Sequence, residues 1–426
     1  YMLLYYGSSV NGLISAITNF LGFISLLDMG VGAVIQANLY KPLAQKDNDQ
    51  ISRIILPSER FFRRLGYIFL VYIGILCFVF PTIINTTYDK WFTASLVIII
   101  AISTLVQYLY GMTYELLLNA DQKSYVQLII QIGTIVLNTV FAIILIKMGM
   151  SVHIVKLTTA IFYVLRPLVQ AAYVRKHYRI NRKIKIEGEP IKQKWNGFSQ
   201  HLAAVVCQNV DMAVLTIFST LKNVSIYSVY YNVTNGVEQI IMTAATGIES
   251  LFGNMIANNE HEELLKTFSV VEWITHVGVT GIFTISAITI SPFIAVYTRG
   301  INDANYSVPV FGFILVTAYA VQCLRIPYFR IIKAAGHFKE TQNGAYISAV
   351  LNIVITVGTV FKFGLVGAAI GTLIAMLYHT CYFVWYLRRN ILKRSIIYFT
   401  KYLITDSVIA ISSFFCTSQM ELNSLT

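Results

Sequence analysis

Charged side chains are scarce in this chain, and several stand inside apolar stretches, where each needs either a partner or a purpose. Asp211 follows Gln208 and Asn209 in a run that otherwise holds Ala203, Val205, Val206, Val214 and Leu215. Glu238 comes one helical turn after Asn235, so the two share a face, with Asn232 and Gln239 close by. Arg166 and Arg325 are the cations at similar depth, and a guanidinium can hold phosphate oxygens in a rigid fork. A charge at mid-bilayer costs roughly 2.5 to 3.5 kcal/mol on insertion scales, so such groups must face protein, water or the headgroup zone. Arg166, Asp211, Asn235, Glu238 and Arg325 are therefore candidates to line a polar cavity. Asp28, Glu115, Glu249 and Glu272 lie nearer the ends of their apolar runs and are candidates for gating. For each residue the competing reading is structural: an interhelical hydrogen bond, an interfacial anchor or an ion pair with a basic loop. His276, in the middle of a span, is expected to be neutral and to make one hydrogen bond.

No other chemistry is nominated. The sequence has no GxxxxGK[ST], GxSxG or HExxH string, so the usual ATPase, serine hydrolase and zinc protease signatures are unsupported. Cys77, Cys207, Cys323, Cys381 and Cys416 stand singly in apolar stretches, which argues for small buried hydrophobes and against a disulfide framework or zinc site. No cofactor or resident metal is expected.

The elements that must position these residues follow from composition. Of 426 residues, 56% are hydrophobic and 12% are charged, against about 25% charged in soluble domains. Apolar runs of membrane-spanning length recur at 10–35, 65–84, 91–118, 125–146, 152–174, 197–218, 224–252, 267–291, 308–329, 343–361, 364–387 and 397–416. Twelve spans predict an all-α polytopic membrane protein. The formal charge of +12 does not point to nucleic acid, because Lys and Arg gather in alternate connections. Six fall in 41–64, eight in 175–194, three in 330–339 and five in 388–401. These mark the cytoplasmic side, placing loops 36–64 and 175–196 there, with anionic lipid headgroups as the natural partner of the charge. Within the first of these loops 51–64 has amphipathic character, but Pro57 argues against an unbroken helix.

A near echo recurs about 215 residues along. Gly32 matches Gly247, Gln107 and Tyr108 match Gln322 and Cys323, Ala120 matches Gly336, Lys123 matches Lys339, and Gly149 matches Gly364. Two copies of one unit give an N-terminal bundle at 1–174, a basic linker at 175–196, a C-terminal bundle at 197–387 and a further span and tail at 388–426. The counterpart of the 197–218 helix would precede residue 1, so the first helix of the first copy is expected to be absent from the chain. Six spans between equivalent positions make the copies parallel. Two such bundles can rock to expose a central path on alternate sides.

The strings LISAITNFLGFISLLDMGVGAVIQANLYKPLAQKD at 13–47 and RIPYFRIIKAAGHFKETQNGAYISAVLNI at 325–353, continued by KFGLVGAAIGTLIAML at 362–377, resemble the bacterial polysaccharide transporter family. These are the oligosaccharide repeat-unit flippases of the multidrug, oligosaccharidyl-lipid and polysaccharide exporter superfamily. The resemblance implies two six-helix bundles in a V-shaped transporter around a cationic, hydrated passage. It implies movement of undecaprenyl-diphosphate-linked oligosaccharide from the cytoplasmic to the outer leaflet of a bacterial inner membrane, for capsule, exopolysaccharide or O-antigen assembly. It casts Asp28, in SLLDMGVG, as a gate and Arg325 as a cavity cation. Coupling to Na+ or H+ and contact with a glycan polymerase and assembly proteins would accompany that role. The alternatives are a cation-coupled multidrug exporter, with a smaller, more aromatic or acidic cavity, and a membrane glycosyltransferase, which would need large outer loops and a fixed catalytic constellation. A nontransporting scaffold is the third.

Overall fold

The computed structural model describes residues 1–28, 31–84, 88–184, 198–245 and 247–418. Gly30, and the stretch 185–196 of the basic linker with Gly188 and Pro190, lie outside them. Lipid offers backbone groups no hydrogen bonds, so a membrane chain must satisfy them internally, and helices do so within each segment. Every regular element among the described residues is helical. Among the described residues, twelve helical stretches are long and apolar enough to cross a membrane, and the protein is an all-α, multi-pass membrane protein.

In order, α1 (Met2–Gly22) runs through a 3-10 turn (Phe23–Asp28) toward α2 (Val31–Ala44) and α3 (Asn48–Ile83). Then α4 (Lys90–Val106) passes through a π segment (Gln107–Gly111) into α5 (Met112–Ala120), followed by α6 (Ser124–Lys147) and α7 (Val152–His177). After α8 (Phe198–Phe218) come α9 (Leu221–Ala244), α10 (Ile248–Ala257) and α11 (His261–Tyr297). The remainder is α12 (Pro309–Leu324), α13 (Ile326–Ala334), α14 (Phe338–Phe363), α15 (Leu365–Asn390) and α16 (Ile397–Ser418).

The span count agrees with the sequence reading, and the boundaries differ most at the first span and at residues 36–64. The first span is Met2–Asp28 and not 10–35, because the apolar residues of the extreme N-terminus are helical and the run tightens at Phe23–Asp28, where Ser25 donates to the Gly22 carbonyl at 2.8 Å. Residues 36–64 are mostly helical, and α3 continues through Pro57 without a break. Asp47 starts α3 by accepting from the amides of Asp49 and Gln50. An interior proline costs about 3 kcal/mol. Ile51, Ile55, Leu56 and Phe62 are all buried along that face, each contributing roughly 1.5 to 3 kcal/mol, so packing outweighs the lost hydrogen bond.

The chain packs as two compact units, one of Tyr1–Val205 and one beginning at Val206. In the first, α1 packs on α4, α2 on α5, α3 on α4, and α7 on both α4 and α6. In the second, α9 packs on α12, α10 on α13, α11 on α12, and α15 on both α12 and α14, which is the same plan. Left-handed backbone turns recur at the same interval: Lys46 with Asn259, Gln122 with Gly336, and Gly149 with Gly364. At the first Gln122 turn, a hydrogen bond from Lys123 to Asp121 holds the ammonium above its ordinary range, and burial with a bond to Asp121 raises the Tyr178 phenol. Beyond the shared plan, α16 packs on α11. It is fastened by a 2.5 Å contact between His276 Nδ1 and Asp406, while Arg394, just before α16, pairs with Glu272.

The closest approach of backbones is between α14 and α15. A Cβ on Gly371 would lie 2.8 Å from the Cα of Thr356, whereas one on Gly358 would meet nothing within 4 Å. Gly371→Ala should therefore destabilise the protein by about 1 to 3 kcal/mol through overpacking. Gly358→Ala should leave the unfolding midpoint in detergent close to that of the parent, and equal midpoints for the two variants would contradict this packing.

Candidate functional site

In the first unit a half-open cavity of about 360 Å³ is bordered by α4 and its π segment, α5, α6 and α7. Each residue that lines it carries a polar group on an apolar stem or ring: Ser103, Thr104, Gln107, Glu115, Gln127, Gln131, Tyr163, Arg166 and Gln170. Helical spacing gathers them, since Ser103 and Gln107, Gln127 and Gln131, and Arg166 and Gln170 are each four residues apart. Gln107 sits in the π segment, a local widening of the helix common at functional sites. Gly111 lies at the same place because a Cβ there would come within 2.7 Å of the Pro167 Cβ on α7.

The two charges of this cavity are held in different ways. Each oxygen of Glu115 accepts a side-chain amide, from Gln107 at 2.7 Å and from Gln127 at 2.6 Å. Arg166 donates from Nε to Thr134 at 2.6 Å and stacks over Tyr163, 4.1 Å from the ring centroid, so its guanidinium is fixed in plane. Gln170 is 3% exposed, and its side-chain carbonyl has no hydrogen-bond partner in the protein.

The second unit carries a more closed cluster around Asp211, which is 1% exposed. Its carboxylate accepts from Tyr227 at 3.1 Å, Thr356 at 3.2 Å, Asn352 at 3.4 Å and Thr372. These partners come from α9, α14 and α15, and the close approach at Gly371 brings Thr372 within reach. The Asn352 side-chain oxygen is buried with no partner. Carboxylate, amide and hydroxyl oxygens from four helices, α8 with the carboxylate and α9, α14 and α15 with its partners, make an all-oxygen set of the kind that suits a hard cation.

Glu238 and Arg325 form a third cluster. Gln322, the repeat mate of Gln107, donates to Glu238 at 2.5 Å, so in both units the amide at the break in the fourth membrane helix of the repeat serves a carboxylate. Arg325 donates to His379 Nδ1 at 2.8 Å, which places the imidazole proton on Nε2, a buried atom with no partner. Asn235 is half-buried on α9 while Glu238 is buried, so their shared face is only partly enclosed.

The gating candidates divide. Asp28 accepts from Tyr108 at 3.2 Å, and its other oxygen is buried with no partner. Glu115 lines the cavity already described. Glu249 pairs with Arg330 at 3.1 Å and Lys333 at 3.0 Å, and Glu272 with Arg394 and the Tyr328 hydroxyl. His276 makes its one side-chain bond to Asp406, not to a neutral group. The cavity glutamines, Asn352, Thr356 and Thr372 went unselected in the sequence because each is uncharged. Their signal is the repetition of amides and hydroxyls four residues apart in apolar helices.

No family model and no curated protein matches the chain. Solved structures do. The lipid II flippase MurJ, in an inward closed conformation, aligns over 100% of this chain and 95% of its own, with a TM-score of 0.66 at 15% identity. An inward-facing multidrug resistance MATE family transporter of the MOP superfamily aligns over 92% and 96%, with a TM-score of 0.63 at 13% identity. A MATE structure in complex with MaD3S aligns over 92% and 91%, with a TM-score of 0.65 at 14% identity. The protein has the fold of these membrane transporters.

The Asp211 cluster yields a stability test. Asp211→Ala removes the shared acceptor of four buried donors, each left unpaired at about 1 to 3 kcal/mol, and should lower the thermal midpoint sharply. Asn235→Ala, at a half-buried position, should stay within about 0.5 kcal/mol of the parent. A tolerated Asp211→Ala would show that the carboxylate does not hold α9, α14 and α15 together.

Proposed function

We propose that this protein is a flippase that moves lipid-linked oligosaccharide repeat units across a bacterial inner membrane, from the cytoplasmic to the outer leaflet, for capsule, exopolysaccharide or O-antigen assembly. The observation that carries this reading is the lining of the first-unit cavity, where four glutamines, two aliphatic hydroxyls and an arginine outnumber one tyrosine and one amide-capped glutamate, the groups that would suit an amphipathic cation. The likeness to a lipid II flippase over the full chain supports a lipid-linked cargo.

The prenyl tail stays in lipid while the polar head enters the protein. Amides and hydroxyls exchange hydrogen bonds with sugar hydroxyls, and Arg325, held by its histidine partner, is the cation available to a diphosphate in the second unit. The head must bind weakly enough to leave, because a state favoured too strongly traps the cargo. Asp28, Glu115, Glu249 and Glu272 act as gates in this scheme, with the pairs from Glu249 to Arg330 and Lys333 breaking and reforming near the basic loops. Loops 36–64 and 175–196 face the cytoplasm. The oxygens around Asp211 are the place for a coupling Na+ or proton, and a polymerase and assembly proteins are the partners such a flippase would serve.

Cation-coupled drug export is the second reading, favoured by the equal likeness to multidrug resistance transporters. Reconstitution separates the two. Proteoliposomes should flip undecaprenyl-diphosphate-linked oligosaccharide under an imposed Na+ or H+ gradient, and Arg325→Gln should slow that flipping by about tenfold, equivalent to about 1.4 kcal/mol. Export of cationic dyes with no glycolipid movement under either gradient would replace the flippase with the exporter.

A further inference from the structure

We propose that the first-unit cavity is a subsite for one uncharged, hydroxyl-rich ring, a single sugar residue of the cargo, and that it does not bind the diphosphate. The inference rests on the flippase reading for its source of sugar, and on the cavity alone for its chemistry.

Three features of the lining select the ligand. The formal charges of Arg166 and Glu115 cancel, so the cavity carries no net charge, and an ion of either sign would meet one like charge there. Glu115 is already capped on both oxygens by amides, which leaves it poorly placed to receive an ammonium group. Gln170 then presents a buried carbonyl oxygen with no partner, and an acceptor in that state needs a donor. Phosphate and carboxylate oxygens cannot supply one. An ammonium could, but Arg166 lines the same space and repels it. A hydroxyl gives its proton to Gln170 and accepts from the guanidinium or from Thr104, so it uses both kinds of group.

Size agrees with that choice. Small-molecule pockets span roughly 300 to 1,000 Å³, and about 360 Å³ sits at the lower end, which suits a ring or two and not an extended chain. The stacked and bonded guanidinium gives the site a fixed polar wall, so hydroxyl positions are read with little ordering cost. Water could satisfy Gln170 equally well, and for that reason the test measures sugar directly.

The probes are methyl glycosides of neutral hexoses and N-acetylhexosamines, with inorganic pyrophosphate as competitor, added to the full chain in lipid nanodiscs and followed by saturation-transfer difference NMR. At least one glycoside should bind, pyrophosphate should not displace it, and Gln170→Leu should weaken it by about tenfold or more. Gln131→Leu, an exposed position whose change leaves the packing intact, should weaken it in the same direction. No binding by any glycoside, displacement by pyrophosphate, or parent-like affinity in both variants would overturn the subsite. Flipping of whole glycolipid is measured in parallel. If flipping persists while no glycoside engages these residues, the subsite falls and the transport reading stands. If a glycoside binds through them in a protein that flips no glycolipid, transport falls and the subsite stands.

Discussion

A polar group inside a bilayer has no solvent to fall back on, and that constraint organises this structure. Asp211 is surrounded by four donors, Glu115 by two amides, Glu238 by Gln322, and Glu272 by an arginine and a phenol. Each arrangement draws at least one partner from another helix, so satisfying a carboxylate also fixes how helices pack. Removing such a partner leaves a charge or a donor stranded, whereas an apolar contact between helices gains little over the same contact with lipid. Specificity of packing here comes from the polar groups and from glycine-mediated close approach more than from apolar burial.

The internal repeat shows how one scaffold supports different chemistry. Both units use the same helix pairs, the same left-handed turns and a break in the equivalent membrane helix marked by Gln107 or Gln322. What differs is the carboxylate that the amide reaches. In the first unit it lies on α5, eight residues along the same path, and leaves a cavity beside it. In the second it comes from α9, and the neighbouring arginine is taken up by a histidine on α15. A π segment serves one break, and Pro327 follows the other, so the backbone irregularity is preserved while its cause changes.

Much of this was readable from the residues. Apolar length gave twelve spans, and the glycine and glutamine echoes located equivalent turns and breaks, because those positions answer to local backbone demands. The end of the first span was misplaced because apolarity continues past Asp28, and hydropathy does not report where a helix tightens. The unbroken α3 was also illegible, since Pro57 signals a local cost while the buried face that offsets it depends on tertiary contacts. For the site, charge was the guide, so Arg166, Glu115 and Asp211 stood out and their uncharged partners did not. Asn352, Thr356 and Thr372 look like ordinary helix residues until three helices converge on one carboxylate.

That dependence on neutral partners bears on how a transporter can handle a polar cargo. A cavity built from opposed free charges would hold an ion strongly and release it slowly. Capping Glu115 with glutamines and stacking Arg166 on Tyr163 lowers the field while keeping many hydrogen-bonding groups, each worth only about 0.5 to 1.5 kcal/mol net against water. A head group with several hydroxyls can then be recognised by the number and placement of weak bonds, and small movements of the helices are enough to lose them. The Asp211 cluster has the opposite character, fully enclosed and tightly bonded, so a change in its proton or cation content alters the contacts among α9, α14 and α15 directly. Under the proposed transport role, a weak, adaptable site in one unit and a rigid, charge-sensitive knot in the other would divide recognition from driving force.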